Sequence, residues 1–189
     1  MLKKEARKLY REKRNTLTAA TSAKLDDLLL IQFQALDLPL LNNVLSYWPM
    51  EENKEPNTHL FIDYLHFKFP GLTVLYPIAD FNTNEMKAVA VNDDTRFAKN
   101  EFNIYEPESG TVILPGEIDM IIVPLLAFDS RGFRAGYGKG FYDKFLSVTK
   151  DDCIKVGFSC FDALDSIDDC NEFDVPLNLC ITPHKIYVF

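Results

Sequence analysis

Residues 118–143 read I-D-M-I-I-V-P-L-L-A-F-D-S-R-G-F-R-A-G-Y-G-K-G-F-Y-D, and they combine a buried strand, a glycine-rich loop and the start of a helix. Residues 118–124 are the most apolar predicted strand of the chain. Residues 132–140 then hold four of the eight glycines, and a helix is predicted over residues 141–148. This arrangement is typical of phosphate sites, because backbone N–H groups point outward and the helix dipole favours anions. The stretch therefore predicts an α/β fold with an anion-binding loop.

The loop carries charged side chains but matches neither of two common nucleotide-binding signatures. The pattern G-x-x-x-x-G-K-[ST] is absent because Gly140 follows Lys139, and Phe141 stands where G-x-G-x-x-G has its third glycine. Arg134 and Lys139 add positive charge, and Asp143, in the first predicted helical turn, could bind Mg²⁺. A tight turn without a ligand is the alternative. Basic and acidic residues within the same segment favour a phosphate site.

The amino-terminal segment is the second basic feature. Residues 1–14 hold seven lysine or arginine residues and two glutamates, a balance of +5, although the whole chain carries −8. Within a helix predicted over residues 2–17, four cations recur at the spacing of one helix face, namely Lys3, Arg7, Arg11 and Arg14. A solvated helix face is the ordinary explanation of such a stripe. Beside a phosphate-binding loop, the same stripe becomes a candidate clamp for a polyphosphate.

The rest of the chain alternates between helices and strands. Further helices are predicted over residues 22–36 and 58–67, and strands over residues 43–48, 72–76, 86–91, 154–158 and 186–189. Strands that alternate with helices and are apolar on both faces indicate a mostly parallel sheet in an α/β sandwich. No repeat or low-complexity tract divides the 189 residues, so we expect a single domain over residues 1–189.

Composition and charge exclude several classes of protein. With 47% apolar and 25% charged residues, the chain has the composition of a globular rather than a disordered protein. The longest apolar run, residues 120–128, is too short to span a membrane, and the first residues lack the apolar segment of a secretion signal. Net acidity argues against non-specific nucleic-acid binding. We therefore expect a cytoplasmic protein that binds neither membranes nor nucleic acids.

Cysteine and histidine spacing predicts no metal or redox centre. No C-x-x-C pair occurs among the four cysteines, so we expect reduced, partly buried thiols at Cys153, Cys160, Cys170 and Cys180. Neither a metal-ligand pairing nor a catalytic triad is visible around the histidines, which are His59, His66 and His184.

Residues 123–143 closely resemble the signature segment of the 5-formyltetrahydrofolate cyclo-ligase family, and the similarity extends over essentially the whole chain. Shorter segments resemble other motifs of that family, namely Lys3-x-x-x-Arg7, Glu55-Pro56-Asn57-Thr58, Asn103-Ile104-Tyr105-Glu106-Pro107, and Phe173-Asp174-Val175-Pro176-Leu177 with Thr182. The resemblance implies a three-layer α/β/α sandwich around a mostly parallel or mixed sheet, an architecture shared with sugar-phosphate isomerases and coenzyme A transferases. It also implies ATP-dependent conversion of 5-formyltetrahydrofolate to 5,10-methenyltetrahydrofolate, with release of ADP and phosphate.

The resemblance further implies a role for each matching segment. ATP is expected to contact Lys3, Lys4, Glu5, Ala6, Arg7, Arg134, Ala135, Gly136, Tyr137, Gly138, Lys139, Gly140, Phe141 and Tyr142. The folate is expected to contact Glu55, Tyr137, Gly138, Lys139, Gly140 and Phe141. The resemblance implies that Arg134 and Lys139 are catalytic because they supply positive charge to the triphosphate. It also implies that Tyr142 orients the formyl group. Mg²⁺ is expected to bind Asp143 and Asp174, although a surface acid is the ordinary explanation of Asp174 within its acidic run. ATP and the folate are the expected partners of a monomeric enzyme.

Two positions depart from the family pattern, and two other functions stay open. Ile78 stands where the family usually has Arg or Lys, and Phe102 where it often has Trp. Trp48 and Met50 are candidates for an apolar folate pocket, although core packing is the commoner role of a tryptophan. One alternative function is a sugar-phosphate isomerase or coenzyme A transferase-like enzyme that does not use ATP. The other is a non-enzymatic nucleotide-binding or regulatory protein.

Overall fold

The computed structural model describes residues 1–189, which form four α-helices and twelve β-strands. The helices are α1 (Lys3–Asn15), α2 (Ala19–Gln34), α3 (Thr58–Lys68) and α4 (Phe141–Leu146). The strands are β1 (Asn43–Leu45), β2 (Thr73–Asp80), β3 (Glu85–Ala90), β4 (Phe97–Lys99), β5 (Tyr105–Pro107), β6 (Thr111–Ile113), β7 (Met120–Val123), β8 (Ala127–Phe128), β9 (Arg134–Ala135), β10 (Ile154–Phe158), β11 (Leu179–Ile181) and β12 (Ile186–Val188). Two 3₁₀ turns lie at Glu51–Asn53 and Pro115–Glu117. None of the helices has the length and apolar character needed to cross a membrane.

Eight strands form one mixed sheet, in the order β12-β11-β10-β7-β1-β2-β3-β6. The five strands from β11 to β2 run parallel, and antiparallel strands cover both edges, with β12 beside β11 and β3 and β6 beyond β2. Strands β4 and β5, and strands β8 and β9, form two separate antiparallel ribbons. The predicted mostly parallel or mixed sheet is confirmed.

The sheet is the middle layer of three. All four residues of β7 are buried, as expected for a central parallel strand covered on both faces. Met120 and Ile122 belong to the hydrophobic cluster that contains residues of α2 and α3, whereas Ile121 and Val123 belong to the cluster that contains residues of α4. The α/β/α arrangement is therefore confirmed, with a thinner second layer because α4 has only six residues.

Local interactions determine where the helices begin and end. The hydroxyl of Thr18 accepts the Thr21 N–H at 3.1 Å and caps α2, and Asn57 Oδ1 accepts the His59 N–H at 3.2 Å at the start of α3. At the carboxyl end of α1, Lys54 Nζ donates to Asn15 O at 3.0 Å and to Leu17 O. These two contacts of Lys54 connect the loop after β1 to the carboxyl end of α1 and the residues that follow it.

Six short strands lie outside the predicted elements, namely β4, β5, β6, β8, β9 and β11. They contain two or three residues each, too few to show a period, and they exist because partners distant in sequence pair with them. Several predicted elements differ in length from the expectation. The strand predicted over residues 43–48 ends at Leu45 and the helix predicted over residues 141–148 ends at Leu146, whereas the strand predicted over residues 72–76 extends to Asp80.

The order of the strands leaves a crevice between β1 and β7. From β1 the chain passes through α3 to β2 on one side, whereas from β7 it continues to β10 on the other side. The loops that follow two adjacent parallel strands therefore diverge at the carboxyl edge of the sheet, where ligands bind in open α/β sheets. These two loops are residues 46–57 and the segment that includes the glycine-rich residues 132–140.

Candidate active site

A cavity of about 540 Å³ opens at this crevice. Its volume lies within the range typical of small-molecule sites, roughly 300–1,000 Å³. The wall is formed by α1, the loop after β1, the ends of β2 and β3, residues 102–106, the glycine-rich loop and the segment around Asp174. The tertiary structure thus brings the amino-terminal helix and the glycine-rich loop to one site.

The glycine-rich loop and α1 are in direct contact. Arg7 Nε donates to Gly136 O at 2.8 Å. Gly138 has a φ of 90°, and a Cβ at this position would lie 3.2 Å from Arg7 Cζ. Gly140, with a φ of 77°, begins α4. Glycine at residue 138 therefore allows both the left-handed backbone and the close approach of the Arg7 guanidinium.

The cationic stripe of α1 is divided between the cavity and the interior. Lys3, Arg7 and Arg11 line the cavity, whereas Arg14 is buried behind it. Other residues of the expected ATP-contact set lie outside the cavity wall: Lys4 and Glu5 are exposed, and Ala6 and Ala135 are packed in the core.

Two ion pairs join the predicted phosphate cations to the predicted metal ligands. Lys3 Nζ lies 2.5 Å from both carboxylate oxygens of Asp174, and the two side chains are 12% and 15% exposed. Arg134 donates to Asp143 Oδ1 at 2.9 Å and to Val175 O at 2.6 Å. Asp174 is therefore a partly buried, paired acid rather than a solvated one.

Three further cations at the cavity have no acidic partner. No carboxylate oxygen lies within 4.0 Å of the side-chain nitrogens of Arg7, Arg11 or Lys139. Lys139 Nζ lies 5.5 Å from the ring centroid of Phe102, and Arg11 Cζ lies 5.8 Å from that of Tyr137. Because these charges are unpaired and converge on one cavity, the site favours a polyanionic ligand.

The two candidate metal ligands cannot form a complete metal site by themselves. No group of three or more His, Cys, Asp or Glu side chains is arranged to hold a metal ion. Asp143 Oδ1 accepts from Arg134 and from the Val175 N–H, whereas Oδ2 has no partner in the protein. Mg²⁺ is commonly bound by one or two carboxylates together with waters and substrate phosphates. Asp143, with its free Oδ2, therefore fits a Mg²⁺ ion that arrives with a nucleotide, whereas both oxygens of Asp174 are occupied by Lys3 Nζ, which would have to move for Asp174 to bind the ion.

Glu55, in the loop after β1, is a buried carboxylate that lines the cavity beside the glycine-rich loop. It is 9% exposed, Oε2 accepts the Met50 N–H at 2.7 Å, and Oε1 accepts from the Tyr137 hydroxyl. Burial raises the pKa of Glu55, and the hydrogen bonds from Met50 and Tyr137 oppose that rise. The Tyr142 hydroxyl is buried without a partner, and Tyr142 lines the cavity. A buried hydroxyl without a hydrogen-bond partner destabilises the folded state. The Tyr142 hydroxyl is therefore a candidate to form a hydrogen bond with a ligand atom in the cavity.

Aromatic side chains form the remaining wall. The Trp48 ring centroid lies 4.7 Å from that of Phe97 and 5.1 Å from that of Tyr105, so Trp48 both packs in the core and faces the cavity. The rings of Phe81 and Phe102 are in contact, with centroids 4.0 Å apart and planes tilted by 34°. Flat apolar walls of this kind fit the rings of a pterin or a purine.

The two departures from the family pattern lie in different surroundings. Phe102 lines the cavity beside Lys139, whereas Ile78 does not line it, although its neighbours Pro77 and Ala79 do. The replacement at residue 78 is therefore away from the cavity wall.

Glu106 and Tyr47 line the cavity although no role was predicted for them, whereas Thr182, which belongs to a segment resembling the family, does not line it. Glu106 lines the cavity and accepts the Ala79 N–H at 2.9 Å, and its only signal was its place in the segment Asn103–Pro107. Tyr47 lines the cavity directly after β1. Thr182 lies in a turn, where its hydroxyl donates to Lys185 O at 2.9 Å.

The cysteines are free, as predicted, and none is suited to act as a nucleophile. Cys153 and Cys180 are buried, and Cys160 and Cys170 are partly buried. Burial raises the pKa of Cys153 and of Cys160 to about 11, so both are neutral thiols at pH 7.

Comparisons with known proteins agree on one family. A family model described as the 5-formyltetrahydrofolate cyclo-ligase family matches residues 2–183. The 5-formyltetrahydrofolate cyclo-ligase of Mycoplasma genitalium is 29% identical over 183 residues, which cover 94% of this chain and 97% of that protein. The enzyme of the same name from Escherichia coli K12 is 31% identical over 119 residues, which cover 61% of this chain and 64% of that protein.

Solved structures show the same fold. The NMR structure of Aquifex aeolicus 5,10-methenyltetrahydrofolate synthetase superposes with a TM-score of 0.79 at 27% identity, covering 100% of this chain and 93% of that one. The structure of a 5,10-methenyltetrahydrofolate synthetase from Mycoplasma pneumoniae superposes with a TM-score of 0.74 at 22% identity, covering 97% of this chain and 99% of that one.

Proposed function

The chain belongs to the 5-formyltetrahydrofolate cyclo-ligase family, and on that premise we propose that it converts 5-formyltetrahydrofolate to 5,10-methenyltetrahydrofolate in a reaction that requires ATP and Mg²⁺. ADP and phosphate are the other products. The observation that carries the proposal is the contact between Arg7 and Gly136, which joins the two basic segments at one cavity. A cytoplasmic monomer acting on these two small molecules, without nucleic acid or membrane, is part of the same proposal.

The chemistry explains why a site of unpaired cations suits this reaction. A formamide oxygen is a poor leaving group, so transfer of the γ-phosphoryl group from ATP to that oxygen, with release of ADP, makes it a good one. The N10 amine then attacks the formyl carbon, the C–O bond breaks to release phosphate, and N10 loses its proton. Phosphoryl transfer is catalysed mainly by positioning and by neutralising charge, which Arg7, Arg11 and Lys139 are placed to do.

The two ion pairs hold the candidate metal ligands in position. Mg²⁺, when bound, would neutralise charge on the phosphates and help to align them. Lys3 and Arg134 fix the carboxylates of Asp174 and Asp143 at the cavity. Both cations also lie beside the cavity, so they can turn from carboxylate to phosphate when the nucleotide binds.

Glu55 and Tyr142 are assigned to the folate. Glu55 presents a buried carboxylate at the cavity. We assign it a hydrogen bond to the pterin ring or to the N10 side of the substrate, which is the side that loses the N10 proton. The unpartnered hydroxyl of Tyr142 is assigned to the formyl group. Phe141 and Trp48 contribute to the walls for the folate rings.

The experiment follows product formation in the purified protein. Protein, ATP, Mg²⁺ and 5-formyltetrahydrofolate are mixed, and the near-ultraviolet absorbance of the methenyl product is recorded, with ATP or Mg²⁺ omitted in parallel. Product only in the complete mixture supports the proposal. Product without ATP would refute the phosphorylation step, and ATP binding without product would refute the folate assignment and leave the isomerase-like and regulatory alternatives.

A further inference from the structure

Arg14 is a buried cation with no acidic partner. Its side chain is 2% exposed, and no carboxylate oxygen lies within 4.0 Å of its nitrogens. It donates to Leu125 O at 2.6 Å and to the Tyr137 hydroxyl oxygen at 3.4 Å, and its Nε has no partner. Burying a charge without a counter-ion is unfavourable, so an uncompensated guanidinium in the interior calls for a functional explanation.

Tyr137 connects this guanidinium to Glu55. The hydroxyl oxygen accepts from Arg14, so its hydrogen is directed to the other side, where it is donated to Glu55 Oε1. The three residues come from α1, the glycine-rich loop and the loop after β1, so the chain of hydrogen bonds leads from the buried Arg14 to Tyr137 and Glu55 at the cavity wall.

The charges around Glu55 are few. The groups that face it are Met50 N–H and Tyr47 from the loop after β1, Tyr137 and Tyr142 from the glycine-rich loop and α4, and Arg14 from α1. Among these, Arg14 is the one cation. Arg14 is itself faced by Tyr47, Tyr137, Glu55 and, from the segment after β10, Cys160.

We propose that Arg14 is a positioning residue that acts through Tyr137 to keep the carboxylate of Glu55 ionised and directed toward the folate. The inference rests on the proposed function, because it deepens the role given to Glu55. Two physical effects act in the same direction: the positive charge favours the carboxylate, and the hydrogen bond to the tyrosine oxygen keeps that hydroxyl a donor to Glu55. Burial raises the pKa of Glu55, and the nearby Arg14 charge opposes this rise.

The test compares Arg14→Met, which removes the charge, with Arg14→Lys, which keeps it. Lys8→Gln is the matched control, because it removes one positive charge from an exposed position on the same helix. The dependence of kcat/KM for 5-formyltetrahydrofolate on pH is measured for each. We expect the acidic limb of Arg14→Met to move up by about one pH unit, which lowers kcat/KM about tenfold on that limb and changes it little at higher pH. Because Arg14→Lys keeps the charge, it should show little of this shift, and Lys8→Gln should match the parent protein.

A second measurement needs no turnover and separates this inference from the proposed function. The Glu55 carboxyl carbon, assigned by the loss of its signal in Glu55→Gln, is titrated by ¹³C NMR without substrate. The parent protein is compared with Arg14→Met and with Tyr137→Phe, which interrupts the chain of hydrogen bonds but retains Arg14. We expect a higher midpoint in both Arg14→Met and Tyr137→Phe. An unchanged midpoint in both folded variants would overturn the inference, whereas a raised midpoint in a protein that forms no product would refute only the proposed function.

Discussion

The substitution Gly138→Ala tests the contact between the glycine-rich loop and α1. Residue 138 has a φ of 90°, and an added Cβ would lie 3.2 Å from Arg7 Cζ and 3.5 Å from its Nε and one terminal nitrogen. An alanine forced into the left-handed region costs about 1–2 kcal/mol. The crowded guanidinium must also move, which weakens its 2.8 Å bond to Gly136 O. A hydrogen bond from a charged group contributes about 1.5–3 kcal/mol, so losing roughly half of it costs about 0.8–1.5 kcal/mol. Because this bond holds Arg7 and the loop in the arrangement proposed to bind the nucleotide, we expect ATP affinity to fall roughly 4- to 12-fold.

The assay separates backbone strain from crowding of Arg7. Gly140→Ala introduces the same left-handed strain, with a φ of 77°, but nothing lies within 4 Å of its added Cβ. Gly116→Ala has neither feature. Thermal denaturation should show a fall of roughly 2–8 °C for the substitutions at residues 138 and 140 and none at residue 116. Titration calorimetry with ATP and Mg²⁺ should show the larger loss of affinity for Gly138→Ala.

Two outcomes would refute this reasoning. Equal losses of ATP affinity in Gly138→Ala and Gly140→Ala would mean that the contact with Arg7 contributes nothing. Unchanged affinity in both variants would mean that the loop is not where the nucleotide binds.

Three further predictions concern side chains of the site and of α2. Lys139→Ala should abolish turnover with an unchanged melting temperature, because Lys139 is exposed and has no acidic partner. Arg134→Ala should also abolish turnover but lower the melting temperature, because it removes a buried side chain and leaves Asp143 and the Val175 carbonyl without their donor. Comparable rates in the parent and either variant would remove that residue from the mechanism. Glu55→Gln should raise the KM for the folate more than that for ATP, measured by initial rates, and an unchanged folate KM would contradict the assignment. Burial raises the pKa of Asp26 to about 6, so the folded state favours its protonated form, and this stabilisation, complete below pH 4, is lost as the pH rises through 6. Asp26→Asn should therefore be more stable than the parent protein at pH 8 and equal to it near pH 4 in urea denaturation, and equal stability at both values would contradict the shift.

The architecture could be predicted from sequence because its determinants are local. The continuous apolar run of β7 indicates a strand covered on both faces, and glycines followed by a helix start indicate the loop. The spacing of Lys3, Arg7 and Arg11 places them on one helix face whatever the rest of the chain does. Periodicity and backbone preference are properties of neighbouring residues, so they can be read directly.

Strand order and the strands of two or three residues could not be predicted, because each depends on pairing partners outside the segment itself. Strand β9 exists because Arg134 and Ala135 pair with β8, and β11 because it lies between β10 and β12. The crevice itself arises from the opposite directions in which the chain leaves β1 and β7.

The residue types at the site are visible in the amino-acid sequence: a glycine-rich loop, a basic helix face and the two acids Asp143 and Asp174. Their electrostatic partners are not visible there, because they are set by the three-dimensional arrangement of the chain. Lys3 pairs with Asp174, and Arg134 pairs with Asp143. Arg14, which shares the helix-face spacing of Lys3, Arg7 and Arg11, is buried next to Tyr137 instead of lining the cavity. The physical reason is that the energy of a charge depends on its burial and on the groups within a few ångströms of it, and folding sets both by bringing together segments more than a hundred residues apart.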